Sequence, residues 1–166
     1  MDICCIVFLT LLASGFIAAQ EKQLLCRSPD LVLSYSSCGS SIETLVFGVE
    51  PCYLNGFSKW KGTIFWIPKR DVTFLRTTTV LWYERKKVLE WRQVLCIGED
   101  DAYTFCGALK GETVNTTTRI AGDKANYPMG EYTAVLKGFY GHSEADLFFC
   151  MNFTLILKKE PSYNFG

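Results

Sequence analysis

LFFCMNFTLILK, residues 147–158, carries the decisive pattern in this chain. Inside an apolar run it holds Asn152-Phe153-Thr154, an N-x-[ST] glycan acceptor sequence. A glycan requires solvent, so an outward Asn152 sends Phe149, Met151, Phe153, Leu155 and Leu157 to the opposite face of an extended strand. That set is uniformly apolar, so glycan parity and hydrophobic parity agree. The run reads as a half-buried β-strand. It is too short for a membrane span, is interrupted by Asn152 and ends in Lys158-Lys159.

The same argument applies to a second acceptor, Asn115-Thr116-Thr117. With Asn115 outward, Val114, Thr118 and Ile120 turn inward. Other short β-like runs occupy Leu31–Ser37, Thr44–Val49, Thr63–Ile67, Val72–Tyr83, Trp91–Ile97, Glu112–Ala121 and Tyr132–Tyr140. Turn chemistry separates several of them: Asn55-Gly56, Gly122-Asp123, Pro128-Met129-Gly130 and Gly141-His142. Eight or nine short runs at regular spacing, without 3.6-residue periodicity, predict an antiparallel β-sandwich. No internal repeat or linker divides the chain, and 166 residues suit one domain.

Residues 1–19 read as a signal peptide, with the apolar run Ile3–Ala13 followed by small residues up to Ala18-Ala19-Gln20. The mature domain is then 20–166, and its charge is about +1 because Asp2 is lost from a formally neutral chain. That balance offers no whole-chain footprint for nucleic acid. Six cysteines remain (Cys26, Cys38, Cys52, Cys96, Cys106 and Cys150), an even set that reads as three disulfides of a secreted protein. Spacing does not choose among the pairings, although Cys96–Cys106 closes a hairpin-sized loop. Zinc spacings are absent, so no metal site is expected, and His142 is the only histidine.

No cofactor motif or catalytic constellation appears. A Ser-His-Asp hydrolase would have to use His142, no G-x-S-x-G is present, and no cysteine stays free as a nucleophile. The chain therefore reads as a non-enzyme. Two binding features stand out. With 12 Phe, 8 Tyr and 4 Trp, the inward positions either fill an ordinary core or leave a lipid-sized cavity. The loop Cys96–Cys106 presents Glu99, Asp100, Asp101 and Tyr103, either as a solvated hairpin tip or as a pre-organised docking surface.

The six cysteines, Ile67-Pro68-Lys69-Arg70-Asp71, CIGEDDAYTFCGALKGETVNTT (96–117), Gly130-Glu131-Tyr132 and Leu147-Phe148-Phe149-Cys150 together resemble the ML lipid-recognition family. The similarity covers the mature chain. Lys110–Thr117 is its most specific run, pointing to the branch that partners Toll-like receptor four. The resemblance implies an immunoglobulin-like two-sheet β-cup with an apolar cavity between the sheets for the acyl chains of bacterial lipopolysaccharide. It also implies the disulfides Cys26–Cys52, Cys38–Cys150 and Cys96–Cys106.

By matching positions, the resemblance puts Leu33, Leu45, Phe47, Val49, Ile64, Trp66, Phe105, Val114, Ile120, Tyr132, Leu136, Phe149, Phe153 and Leu155 on the cavity wall. Tyr127, where the family has Phe, falls in the lipid-responsive loop. Lys69, Arg70, Glu99, Asp100, Asp101, Tyr103 and Lys110 are the implied face for the Toll-like receptor four ectodomain. Where the family pattern places lysines for the lipid A phosphates, this chain has Asp123, Asn126, Met129 and Thr133, while Lys59, Arg119 and Lys124 remain. Gly122 replaces a cavity-facing aromatic. The alternatives are a receptor-independent carrier of sterol, glycolipid or phospholipid, and a lipid-free extracellular interaction module.

Overall fold

The computed structural model describes residues 22–38, 45–53, 59–98, 103–121 and 127–158. The expected signal peptide and the tip Glu99–Asp101 lie outside them, as do Lys124, Gly122, Asp123 and Asn126. Among the described residues nine strands form: β1 (Gln23–Arg27), β2 (Leu31–Ser37), β3 (Val46–Glu50), β4 (Lys59–Trp66), β5 (Leu75–Tyr83), β6 (Lys86–Cys96), β7 (Val114–Ala121), β8 (Gly130–Phe139) and β9 (Leu147–Leu157). They make two antiparallel sheets, one in the order β1-β2-β9-β8-β5-β6 and one in the order β3-β4-β7. The expected all-β sandwich is what the chain forms.

Strand β9 is central and sets the register. Its Leu155, Phe153 and Met151 pair with Leu33, Tyr35 and Ser37 of β2 on one side, and with Tyr132, Ala134 and Leu136 of β8 on the other. Directly paired residues share a face, so one apolar surface runs across β2, β9, β8 and β5. Met151 and Leu157 are almost fully buried, as the outward Asn152 requires. Burial does not alternate strictly, since Cys150 and Thr154 on the Asn152 parity are buried, and at one point the pairing itself is irregular. The β8–β9 register shifts between Gly138 and Phe139, leaving Phe148 as an extra residue in β9. Phe148 is thereby buried too, with its ring 5.1 Å from that of Trp66 on β4. A bulge of this kind lets consecutive aromatics, Phe148 and Phe149, both enter the core.

Two elements depart from the sequence reading. β6 begins at Lys86, five residues before the expected Trp91, after a two-residue hairpin at Glu84 (φ 44°) and Arg85 (φ 68°). Both residues occupy the left-handed region of a primed turn without Gly or Asn, which hides the turn from composition. The strand also has no buried face over Lys86–Val94, because it forms one edge of the large sheet and the small sheet does not extend over it. No alternation can mark such a strand. β1, the other edge, is short and exposed at both ends.

The disulfides Cys26–Cys52, Cys38–Cys150 and Cys96–Cys106 are all formed, with Cα separations of 5.7, 5.1 and 5.4 Å. Cys26–Cys52 ties β1 to the end of β3, where strands of opposite sheets come close.

Gly138 supports the bulge sterically, since a Cβ there would lie 2.3 Å from the Phe149 ring. Gly138→Ala should therefore destabilise the fold by about 1–3 kcal/mol. Gly98→Ala, with nothing within 4 Å, should leave it nearly unchanged. Urea unfolding of the two variants checks this contrast, and equal midpoints would contradict it.

Candidate functional site

The apolar faces of the two sheets are tightly packed at one end and only half-buried further along. At the tightly packed end Trp66, Val72, Leu75, Phe105, Val114, Phe148 and Phe149 pack around the buried Cys96–Cys106 bridge. Trp66 and Phe105 meet at 6.0 Å, and Tyr103 stacks on Phe105 at 5.2 Å with the planes 21° apart. Four of the expected wall residues, Trp66, Phe105, Val114 and Phe149, belong to this packed end. They form the floor between the sheets.

Beyond the floor, Leu45, Phe47, Val49 and Ile64 on the small-sheet side and Leu136, Phe153 and Leu155 on the large sheet are only half-buried. Register places the strand residues among them on the facing surfaces. In a closed sandwich such positions are shielded from solvent by the opposite sheet. Their residual exposure marks a stretch of incompletely covered apolar carbon between the sheets. The sheets touch across it through three rings: Phe47 of β3 lies 5.7 Å from Tyr35 and 5.4 Å from Phe153. Leu33 is buried beside them. Ile120 sits in register with Trp60 on β4.

At the opposite end from the floor a second cluster brings Leu31, Tyr132 and Leu157 together with Trp60, Leu81, Tyr83, Tyr127 and Leu155. Tyr132 packs 4.8 Å from Tyr83 and 5.9 Å from Tyr127. Its hydroxyl donates to the Pro128 carbonyl at 2.8 Å, and that of Tyr83 donates to the Met129 carbonyl at 2.8 Å. Two tyrosines thus fasten the segment that leads into Gly130, which adopts φ 141° with Tyr83 and Glu84 close above it. Burial raises the pKa of Tyr132 above the ordinary 10.0, helped by Tyr83, Tyr127 and Glu84.

Of the expected basic set, Lys124 and the Lys59 side chain lie outside what the structure describes, and Arg119 is on the outer face. Arg119 is directly opposite Lys61 and shares the outer face of the small sheet with Asn115. Lys59 pairs through its backbone with Ala121, Met129 is exposed and Thr133 is half-buried. The described surroundings of the cup are aromatic.

Of the expected docking residues, the described ones, Lys69, Arg70, Tyr103 and Lys110, lie on two adjoining segments. Lys69 and Arg70 are exposed between Pro68 and Asp71. The Pro68 carbonyl accepts from Gly111 N, and Asp71 Oδ1 accepts from Lys110 N, each at 2.8 Å. Val72 exchanges backbone hydrogen bonds with Ala108 and Gly107. Residues 67–72 and 103–112 are consequently one surface, with Arg70 above the Tyr140 ring at 5.8 Å. An open polar cleft of about 380 Å³, bordered by Thr104, Glu112, Thr113 and Asn115, adjoins it. Elsewhere, His142 is exposed and leans on Phe74 at 4.7 Å.

Sequence reasoning passed over Tyr35, Trp60, Leu81 and Tyr83. Period two alone marks Tyr35 as a companion of Leu33, and Tyr83 as a companion of Leu81.

With that geometry in place, similarity to known proteins can be stated. Human lymphocyte antigen 96 is 34% identical to this chain over 157 residues, spanning 95% of the chain and 96% of the relative. The chain belongs to the lymphocyte antigen 96 family. The Cricetulus griseus lymphocyte antigen 96 is 36% identical over 155 residues, 91% of this chain and 94% of its own. Among solved structures, chicken MD-1 complexed with lipid IVa superposes with a TM-score of 0.70 at 21% identity, over 84% of this chain and 99% of that one. A Niemann-Pick type C2 protein from the Japanese carpenter ant gives 0.52 at 15% identity, over 72% and 96% respectively. These two likenesses speak for the fold, the ML β-cup. No family model matches the chain.

This lymphocyte antigen 96 family member should lose stability as pH rises through the tyrosine range. With the folded pKa of Tyr132 raised, the unfolded state releases its proton first and the native state holds more protons above pH 10.0. Tyr132→Phe should flatten that limb of the stability profile. It should also cost about 1 kcal/mol near neutrality through the lost hydrogen bond. Thermal unfolding from pH 7 upward tests both, and an unchanged alkaline slope would refute the assignment.

Proposed function

We propose that this protein is a secreted, non-enzymatic, glycosylated co-receptor. It holds the acyl chains of lipopolysaccharide between its sheets and presents them to the ectodomain of Toll-like receptor four. The observation that carries the reading is the half-buried apolar surface of Phe47, Val49, Ile64, Leu136, Phe153 and Leu155, which faces the opposite sheet without being covered by it. Apolar surface left accessible costs about 25 cal/mol per Å² relative to burial, so a bound acyl chain recovers free energy that the empty protein forgoes. Lymphocyte antigen 96 relatives, and the fold shared with a chicken protein bound to lipid IVa, support the same conclusion.

Residues 67–72 and 103–112, braced by hydrogen bonds and by Cys96–Cys106, form a pre-organised face for the receptor with Lys69, Arg70, Tyr103 and Lys110, and Glu99, Asp100 and Asp101 are assigned to the same contact from the sequence. Pre-organisation lowers the ordering cost of association. The floor of the cup includes Phe105, two residues from Tyr103, so ligand and receptor contacts share one short segment. The domain acts in residues 20–166 after removal of residues 1–19, with Asn115 and Asn152 as glycan acceptors. No helix among the described residues is long and apolar enough to cross a membrane, and cell-surface association runs through the receptor.

A second reading, favoured by the tyrosines Tyr83, Tyr127 and Tyr132 at the rim, is an ML-type carrier for a less charged lipid acting without a receptor. Displacement of a fluorescent probe separates the two. The co-receptor reading requires bisphosphorylated lipid A to compete, and the carrier reading expects its dephosphorylated counterpart to compete better.

Replacing Phe153 or Ile64 by Glu should weaken lipid A binding by tenfold or more, about 1.4 kcal/mol. Asp100→Ala with Asp101→Ala should abolish receptor association while leaving lipid displacement intact. Native mass spectrometry and displacement assays that both showed no lipid bound would sink the proposal.

A further inference from the structure

The outer face of the small sheet is organised in three lateral rows. Strand register gives Glu50–Lys61–Arg119 at one end, Gly48–Thr63–Thr117 in the middle and Val46–Phe65–Asn115 at the other. Charge and hydroxyl groups fill the first two, as a solvated face demands. The third is apolar up to its last member, with Val46 47% and Phe65 36% exposed, and Ile67, just past the end of β4, is 40% exposed. Neighbouring large apolar residues on a solvent face imply a contact that covers them.

The row ends on an acceptor asparagine. Asn115 and Thr117, the two residues of the sequence that matter for glycan transfer, are both exposed. Phe65 is the direct cross-strand partner of Asn115, which places their Cβ atoms about 4.5–5.5 Å apart. The β-linked N-acetylglucosamine that begins an N-glycan has one face of axial C–H bonds, matched in size and polarity to an aromatic ring. Its hydroxyl and N-acetyl edges need polar surroundings. Phe65 is across the strand pair from Asn115, and Asn115 also borders the polar cleft together with Glu112 and Thr113.

We propose that the first N-acetylglucosamine of a glycan on Asn115 lies on the Phe65 ring, so that the sugar covers the apolar row of β3 and β4 as a permanent part of the fold. The occupant is this chain's own glycan. The inference rests on passage through a glycosylating secretory compartment, but not on what fills the cup, because Phe65 faces away from it. Asn152 supplies an internal contrast: its cross-strand partners are Ser36 and Val135, which offer no ring.

The test uses full-length protein secreted from mammalian cells, with glycans trimmed enzymatically to a single N-acetylglucosamine. Mass spectrometry measures occupancy at Asn115, and thermal unfolding is compared for wild type, Asn115→Gln, Phe65→Ala and the double variant. Loss of the sugar should lower Tm by about 2 °C or more in the Phe65 protein and by nothing measurable in the Phe65→Ala background. Asn152→Gln should lower Tm equally in both backgrounds. The N-acetyl methyl resonance of the Asn115 sugar should move upfield only when Phe65 is present. An unoccupied Asn115, or the same Tm loss with and without Phe65, overturns the proposal. Fluorescent lipid A displacement by Phe65→Ala should match wild type, so failure here and failure of the cup reading register separately.

Discussion

A sheet of three strands cannot cover a sheet of six. That mismatch is the constraint from which the rest of the molecule follows. β3, β4 and β7 have width enough to close over part of the apolar face made by β2, β9, β8 and β5, and the closed part lies where Trp66, Phe105 and Phe148 fill the space. At Leu136, Phe153 and Leu155 the inner face is only half-buried, and β6 has no buried face over Lys86–Val94. Ordinary sandwiches match their two layers so that nothing apolar is left over. Here the excess is built in, and the fold tolerates it because covalent bonds take up part of the holding. Cys26–Cys52 ties β1 to the end of β3, and Cys38–Cys150, spanning 112 residues, ties the end of β2 to its neighbour β9.

Rigidity is distributed accordingly. The floor is fixed by aromatic packing, by Cys96–Cys106 and by the hydrogen bonds that join residues 67–72 to 103–112. The opposite end is tied by Cys26–Cys52, which packs against Leu31, Tyr132 and Leu157, and by two phenol hydroxyls on the carbonyls of Pro128 and Met129. Both ends thus combine a disulfide with aromatic packing, and the hydrogen bonds on the Pro128 and Met129 carbonyls add about 1 kcal/mol each.

How much of this was legible in the sequence depended on whether each strand separates an inside from an outside. β9 does, and the acceptor Asn152 fixed its parity and hence the inward Met151, Phe153 and Leu155. β7 does as well, through Asn115 and Val114. By the same parity Arg119 stands with Asn115 on the outer face, where it is found. β6 has no inside over most of its length, so its start and its Glu84–Arg85 turn were invisible until the backbone was seen. Phe148 escaped for another reason: a bulge adds one residue to a strand without changing composition. The rim tyrosines were legible in part. Tyr132 and Tyr127 came from the family resemblance, while Tyr83 lay in the right parity and was passed over.

The open edge of β6 has a consequence for the protein in bulk solution. An edge strand carrying Val88, Leu89, Trp91 and Val94, all exposed, is a template for sheet extension on the side away from β5. What stands guard is charge: Lys87 and Arg92 flank and bind Glu90, and Lys86 precedes them. Those groups are solvated and their repulsion between molecules is screened by salt within about 10 Å at 0.1 M. The protein is thus colloidally protected by its ionic surroundings as much as by its fold, and concentrated, salty solutions are the conditions in which its sheets would begin to join.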